Sequence, residues 1–219
     1  MARYSDFANG TVAFIGQKMF GLDEVSRLSL VALYTDGHVL LEGNPGSGKT
    51  EFVKCLANCL RLETGRIQFT PDLMPTDVTG TEMPEFGEGG IRKMEYKKGP
   101  IFTSLLLADE INRATPKTQA AMLEAMAERQ VTVLGVTREL GHPFMVLATQ
   151  NPIDQEGTYN LPEAQADRFM FKINMPSSSR EVIRKIVDKV SSAANGAETE
   201  SRDAEATDEE KEQSRRNYQ

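Results

Sequence analysis

The residues best suited to chemistry lie in one glycine-rich stretch, Gly43-Asn44-Pro45-Gly46-Ser47-Gly48-Lys49-Thr50. Its pattern, G-x-x-x-x-G-K-[ST], is typical of a P-loop, which binds the phosphates of a nucleotide. Glycines let consecutive backbone N–H groups turn toward phosphate oxygens, and a following helix adds partial positive charge. We expect Lys49 to reach the β- and γ-phosphates and the Thr50 hydroxyl to bind Mg²⁺. The alternative is a glycine turn that fits the pattern by chance.

Two neighbouring acids form the second candidate site. Asp109 and Glu110 follow the apolar run at residues 105–108, which predicts a buried strand. In a site that hydrolyses a nucleotide, Asp109 would hold Mg²⁺ through water and Glu110 would activate the attacking water as general base. Without the glycine-rich loop, two exposed acids at a strand end would be the simpler interpretation.

Asn151 and Arg168 are weaker candidates. Asn151 follows another apolar run and could orient the water or sense the γ-phosphate, although Asn-Pro by itself indicates only a turn. Arg168 could pair with Asp167 or Glu163 of its own chain. Alternatively, it could reach the nucleotide of a neighbouring subunit as an arginine finger.

These residues need a scaffold that brings distant parts of the chain together. Short apolar runs predict five strands, at residues 39–41, 66–69, 104–110, 144–148 and 169–173. Helical spacing of apolar residues between them indicates an α/β fold, with a parallel sheet and helices on both faces. Since ligands of such sheets bind at the carboxyl ends of the strands, the candidate residues should meet at that edge.

Two further segments predict hairpins. Residues 71–99 are rich in proline and glycine and contain alternating apolar and polar residues at 91–96, so they form either a working loop or an inert insertion. Residues 131–140 predict a second hairpin around Gly135.

Composition argues against several classes of protein. The chain has 219 residues and a net charge of −7, without the basic excess of a nucleic-acid-binding protein. It has no apolar run of about 18 residues, so no membrane span is expected. Cys55 and Cys59 share one face of a predicted helix and are more simply core residues than a metal pair. Two cysteines and no signal peptide favour a reducing, cytoplasmic setting.

The chain divides into four predicted parts. Residues 1–13 lack strong periodicity and predict a loose arm, and residues 14–176 form the nucleotide-binding core. Residues 177–190 predict one amphipathic helix. Residues 191–219 hold eight acidic and four basic residues but few large apolar ones, so we expect a disordered acidic tail.

The motifs together resemble those of AAA+ ATPases of the MoxR type, which belong to the group with an insert in helix 2. The resemblance covers roughly residues 12–190 and depends on the combination, because a P-loop alone indicates only a nucleotide-binding protein. The stretches that match the family's motifs are 38–50 (HVLLEGNPGSGKT), 66–73 (RIQFTPDL), 99–102 (GPIF), 105–118 (LLLADEINRATPKT), 123–131 (LEAMAERQV), 148–152 (ATQNP) and 161–169 (LPEAQADRF).

The resemblance implies the three-layer αβα fold of P-loop NTPases. It makes residues 43–50 the Walker A motif, and Asp109 and Glu110 the Mg²⁺-linked and catalytic acids of Walker B. It makes Asn151 the sensor 1 residue and Arg168 the arginine finger. It also implies ATP rather than GTP, with Ile15-Gly16 near the adenine.

The resemblance further implies a ring, usually a hexamer, with each site between two subunits. The hairpins near 82–98 and 131–142 would face partners or the pore. Relatives remodel or mature protein complexes, often beside a protein with a von Willebrand factor A domain. They continue into a helical lid of roughly a hundred residues, of which residues 177–190 match only the first helix, so no sensor 2 arginine can be assigned.

Two functions follow from different features. The Walker motifs with Asn151 and Arg168 favour an ATPase that remodels a partner protein. The missing lid favours a nucleotide-dependent assembly or scaffold module with little hydrolysis of its own. A P-loop kinase or a DNA-remodelling ATPase is a weaker interpretation, because no acceptor site and no basic excess is visible.

Overall fold

The computed structural model describes residues 2–43, 46–86, 92–150 and 158–176, with scattered positions between 180 and 191. The helices are α1 (Ala2–Lys18), α2 (Asp23–Tyr34), α3 (Lys49–Leu60), α4 (Pro75–Thr79), α5 (Pro116–Glu128) and α6 (Glu163–Ala166). The strands are β1 (Val39–Glu42), β2 (Thr64–Gln68), β3 (Gly80–Phe86), β4 (Arg92–Lys98), β5 (Leu105–Asp109), β6 (Gln130–Val133), β7 (Val136–Glu139), β8 (Met145–Gln150) and β9 (Phe171–Asn174). A 3₁₀ turn, Ile111–Arg113, follows β5.

The central sheet confirms the predicted fold class. Its five strands lie in the order β2-β5-β8-β1-β9, and every neighbouring pair is parallel. Strand β1, which leads into the glycine-rich loop, lies between β8 and β9. The loop therefore emerges one strand away from the end of β8 and two strands away from the acids at the end of β5.

Alternating side chains of the sheet enter two separate hydrophobic cores. Leu105 and Leu107 of β5 join the core formed with α1, α2 and α3, whereas Leu106 and Ala108 join the core formed with α4 and α5. Because successive side chains of a strand point to opposite faces, this division places helices on both faces of the sheet. The result is the predicted three-layer αβα arrangement.

The prediction of a loose arm at residues 1–13 is wrong, because α1 runs through this segment to Lys18. Val12 and Ile15 are buried, and Ala8 and Met19 pack against the same core. These residues lie four, three and four positions apart, so they share one face of the helix. Packing on α2 and α3 stabilises a helix whose own sequence is only weakly amphipathic.

Both predicted hairpins are present. Strands β3 and β4 pair antiparallel, as do β6 and β7 around the turn at Leu134-Gly135. Arg138 of β7 links them, since its guanidinium lies 3.6 Å from the centre of the Tyr96 ring and 4.0 Å from the carboxylate of Glu82. The two hairpins are therefore in direct contact.

The C-terminal part of the chain lies largely outside the described residues. This applies to the predicted helix at 177–190 and to the predicted acidic tail at 191–219, which stay predictions. In the described part, no helix is long and apolar enough to cross a membrane.

Candidate nucleotide-binding site

Four of the polar candidates, Lys49, Thr50, Asp109 and Glu110, come together at the carboxyl edge of the sheet. Glu42 of β1 lies opposite Gln150 of β8, and Gln68 of β2 lies opposite Asp109 of β5. Parallel strands end at the same side of a sheet, so the loops that follow β1, β5 and β8 share one edge. This is the edge that sequence analysis predicted.

The glycine-rich loop has the backbone conformation that its glycines allow. Gly46 and Gly48 have φ angles of +78° and +81°, which favour glycine. Gly43 approaches Met175 so closely that an added Cβ would lie 2.8 Å from the methionine Cβ. Asn44 and Pro45 lie outside the described residues.

Ser47 presents a hydroxyl group that the loop leaves available. Its Oγ is buried and has no hydrogen-bond partner among the described residues. An orphaned polar atom at the bend of a phosphate-type loop fits a site that is completed by a polar ligand. This observation supports the assignment of the loop as an anion site.

Lys49 is the first residue of α3 and is buried. Its Nζ donates a hydrogen bond to the carbonyl oxygen of Gly43, at 2.6 Å, and therefore spans the loop. Burial lowers the pKa of the ammonium group, while Asp109 and Glu110 act in the opposite direction. An ammonium that spans a glycine-rich loop is suited to bind phosphate oxygens.

Thr50 and Asp109 provide two oxygens that fit a magnesium ion. The Thr50 hydroxyl donates to Oδ2 of Asp109 at 3.4 Å, although 59 residues separate them in the chain. Hydroxyl and carboxylate oxygens are the ligands that Mg²⁺ prefers, and it usually completes its shell with water and phosphate. The donor set thus fits the predicted metal, for which Thr50 and Asp109 would be the protein contacts.

Thr149, at the end of β8, fixes both acids of β5. Its hydroxyl donates to Oδ1 of Asp109 at 2.6 Å and accepts a hydrogen bond from the backbone N–H of Glu110 at 2.9 Å. Glu110 has φ +55° and ψ +49°, a left-handed conformation that is uncommon for residues other than glycine. The hydrogen bond from its N–H helps to hold this conformation, which turns the chain sharply after the strand.

Sequence analysis missed three residues that contact the acids. Arg66 of β2 forms an ion pair with Oδ2 of Asp109 at 2.9 Å. Gln68 donates to Glu110 at 3.1 Å, and Arg113 forms an ion pair with the same carboxylate at 2.9 Å. Arg66 and Gln68 are two positions apart on β2 and so share one face of the strand. The sequence could have indicated this polar face, but it does not show which strand lies beside β2.

The structure does not bring Arg168 to the P-loop of its own chain. Its Nη1 donates to the carbonyl oxygen of Leu123 on α5, at 3.1 Å, and the residue is exposed. An arginine finger acts on the nucleotide of another subunit, so this position leaves that prediction open. Asn151 lies outside the described residues, so its predicted role also stays a prediction.

Ile15 and Gly16 lie in α1 rather than in a loop. The side chain of Ile15 is completely buried in the core, so an adenine contact from it would have to involve the backbone. Its neighbour along the helix, Met19, reaches the P-loop: a Cβ added to Gly48 would lie 3.3 Å from the Met19 Cε. The end of α1 therefore borders the glycine-rich loop, although Ile15 itself is part of the core.

Comparisons with known proteins agree with this geometry. Residues 38–171 match the model of the ATPase family associated with various cellular activities (AAA). A crystal structure from Cytophaga hutchinsonii, of a protein provisionally named an ATPase, superposes with a TM-score of 0.76 at 44% identity. The superposition covers 87% of this chain and 57% of that one.

Relatives with names of the MoxR group are also similar. The chain is 49% identical over 167 residues to chaperone MoxR1 of Mycobacterium tuberculosis, and 52% identical over 173 residues to the uncharacterized protein YeaC of Bacillus subtilis. These alignments cover 76% and 78% of this chain but 44% and 53% of the relatives. The chain thus spans about half the length of the curated relatives it matches. It belongs to the AAA ATPase family, and within that family it is similar to proteins named MoxR.

Proposed function

We propose that this chain binds ATP with Mg²⁺ and hydrolyses it to ADP and phosphate. The observation that carries the proposal is the meeting of Lys49, Thr50 and Asp109 at one edge of the sheet. A buried ammonium beside a hydroxyl and a carboxylate matches what a triphosphate and its metal require. Membership in an ATPase family supports the same reaction.

Each residue would have a distinct role. Lys49 would contact the β- and γ-phosphates, and Thr50 and Asp109 would hold the metal, whose charge stabilises the phosphate oxygens when it is bound. Glu110 would take a proton from the attacking water. Its carboxylate now contacts Gln68 and Arg113, so these two residues set the direction in which the base points.

We further infer that the energy of hydrolysis remodels a partner protein and that the chain works in a ring, which is tested first as a hexamer. The relative named chaperone MoxR1 supports this kind of work. A protein with a von Willebrand factor A domain, which the sequence resemblance implies, is the first partner to test. Arg168 is an exposed residue, which suits a role on a neighbouring subunit. The free thiols of Cys55 and Cys59 are compatible with work in the cytoplasm.

The proposal is tested by the variant Glu110→Gln, which keeps the shape of the side chain but removes the base. We expect nucleotide binding within about threefold of wild type and a steady-state rate lower by at least about 100-fold. Phosphate release and binding of a fluorescent ATP analogue measure the two quantities. Glu128→Gln, which changes an exposed acid at the end of α5, is the matched control and should hydrolyse ATP normally.

Two results would contradict the proposal in different ways. Equal rates for wild type and Glu110→Gln would show that Glu110 is not the base. Nucleotide-dependent assembly with a negligible rate in both proteins would favour the alternative, an assembly or scaffold module.

A further inference from the structure

Arg66 occupies the side of Asp109 on which the metal is expected. Oδ1 of Asp109 accepts the hydrogen bond from Thr149, so Oδ2 is the oxygen that faces the loop. Oδ2 receives both the Thr50 hydroxyl, at 3.4 Å, and the Arg66 guanidinium, at 2.9 Å. The predicted metal ligand is therefore already neutralised by a cation of the protein itself.

We propose that Arg66 competes with Mg²⁺ for Oδ2 of Asp109 and thereby sets the Mg²⁺ concentration at which the nucleotide site loads. This inference rests on the proposed nucleotide site but concerns a residue to which the resemblance gives no role. A guanidinium and a divalent cation on one carboxylate oxygen repel each other, so their binding is mutually unfavourable. Arg66 is a positioning residue in this account and has no direct part in the chemistry.

The exposed position of Arg66 allows its side chain to move away from Asp109. Strand β2 is at the edge of the central sheet, and the Arg66 side chain is 53% exposed, whereas that of Asp109 is 11% exposed. An arginine at an exposed strand edge can turn into solvent at small cost, because exposed ion pairs contribute little to stability. The buried partner stays in place because Thr149 holds its other oxygen.

The same guanidinium also connects the metal site to the predicted base. Nη2 of Arg66 donates to the side-chain carbonyl of Gln68 at 2.9 Å, and the amide of Gln68 donates to Glu110 at 3.1 Å. When Arg66 moves away from Asp109, Gln68 loses the donor that orients its amide. Loading of the metal would thus loosen the contact that directs Glu110.

The experiment is a Mg²⁺ titration of fluorescent ADP binding at fixed nucleotide concentration. For Arg66→Gln we expect the half-saturating Mg²⁺ concentration to fall about three- to tenfold, the scale of a partly exposed ion pair. Arg66→Lys keeps a positive charge, so its half-saturating Mg²⁺ concentration should fall less. The matched control Arg61→Gln removes an exposed arginine at the end of α3 and should stay within about twofold of wild type.

Thermal unfolding provides a second readout. Arg66→Gln should unfold at a lower temperature than wild type in EDTA without nucleotide, and the gap should narrow with Mg²⁺ and ADP, because the ion pair is then broken in both proteins. An unchanged or higher half-saturating Mg²⁺ concentration, or an equal gap in both conditions, would overturn the inference. Absence of nucleotide binding in wild type would instead overturn the proposed function.

Discussion

The two ends of the central sheet use polar residues in opposite ways. At the carboxyl end, Asp109 and Glu110 carry charge, and their partners Arg66 and Arg113 are about half exposed. At the amino end, the residue that precedes β1 is His38, which is buried. Its Nδ1 accepts a hydrogen bond from the N–H of Val146. The charged side chains at the carboxyl end are accessible to a ligand, whereas the neutral imidazole ring at the amino end is buried.

The hydrogen bonds of His38 determine its tautomer. Because an N–H can only donate, Nδ1 must be the unprotonated nitrogen, and Nε2 then donates to the carbonyl oxygen of Met126 at 3.2 Å. The ring also packs edge-on against Phe144. His38 thus joins β1, α5 and β8, and both of its ring nitrogens are occupied inside the protein.

The difference separates polar groups that are suited to a ligand site from polar groups that hold the fold together. A charged side chain that exchanges a protein partner for a ligand must be accessible, so that solvent or the ligand can replace the contact it loses. A group that only connects elements is best satisfied completely, since an unpaired buried polar atom costs about 1–3 kcal/mol. Changes at the two ends should therefore have different consequences, activity at one and pH-dependent stability at the other.

Of the two ends, the carboxyl end should show the larger effect, in the variant Thr149→Val. Valine has nearly the same shape but leaves Oδ1 of Asp109 and the N–H of Glu110 without the threonine hydroxyl. We expect phosphate release to slow by about 10- to 100-fold, because misplaced catalytic groups lose that much. The free energy of unfolding should fall by about 1–3 kcal/mol.

Two variants make the Thr149 result specific. Thr149→Ser restores the hydroxyl and should recover most of the rate. Thr132→Val removes an exposed hydroxyl of the second hairpin, which pairs with Thr137, and should leave the rate unchanged. A normal rate for Thr149→Val would contradict the view that Thr149 positions the two acids.

A smaller effect should appear at the amino end as a pH dependence of stability. Burial lowers the pKa of His38 below 6.5; Arg129 acts in the same direction, and the Met126 carbonyl and Asp36 oppose it. Between the folded pKa and pH 6.5, His38 binds a proton in the unfolded state but not in the folded state. The free energy of unfolding therefore has its full value above pH 6.5 and falls as the pH drops below 6.5. The loss should be about 1.4 kcal/mol per pH unit until the folded pKa is reached.

Urea unfolding of wild type and His38→Gln at pH 7.5, 6.5 and 5.5 measures this contribution. Glutamine can accept from Val146 and donate to Met126 but does not titrate, so its stability should fall less steeply below pH 6.5. His142, which lies 3.6 Å from Asp36, remains in both proteins and cancels in the comparison. Parallel pH dependences would contradict the assignment of a buried, neutral His38.

Residues whose role depends on near neighbours in the chain could be predicted from sequence. The strand, the glycines and Lys49 of the P-loop form one continuous segment, and the apolar run before Asp109 marked the end of a strand. Helix α1 was missed because its buried stripe uses the small residue Ala8, and Gly10 lowers its helix propensity. Contacts of α1 with α2 and α3 compensate for this low helix propensity, and the sequence of α1 alone does not reveal them.

Contacts across the sheet could not be predicted, because they depend on the order of the strands. Arg66 reaches Asp109 only because β2 lies beside β5, and Thr149 reaches Glu110 only because β8 lies on the other side. Parallel α/β sheets admit several strand orders, and the spacing of motifs along the chain does not choose among them. The network around the two acids is therefore a result of the structure.

The proposed function depends on Lys49, Thr50 and Asp109 forming a site for a triphosphate and its metal. The most direct test is equilibrium binding of a fluorescent ATP analogue with Mg²⁺ to wild type, Lys49→Ala and Lys54→Ala, the last being an exposed lysine of the same helix. We predict that Lys49→Ala weakens binding by at least about 100-fold, on the scale of lost charge-assisted hydrogen bonds, and that Lys54→Ala binds like wild type. Equal affinity of Lys49→Ala and wild type would contradict the claim.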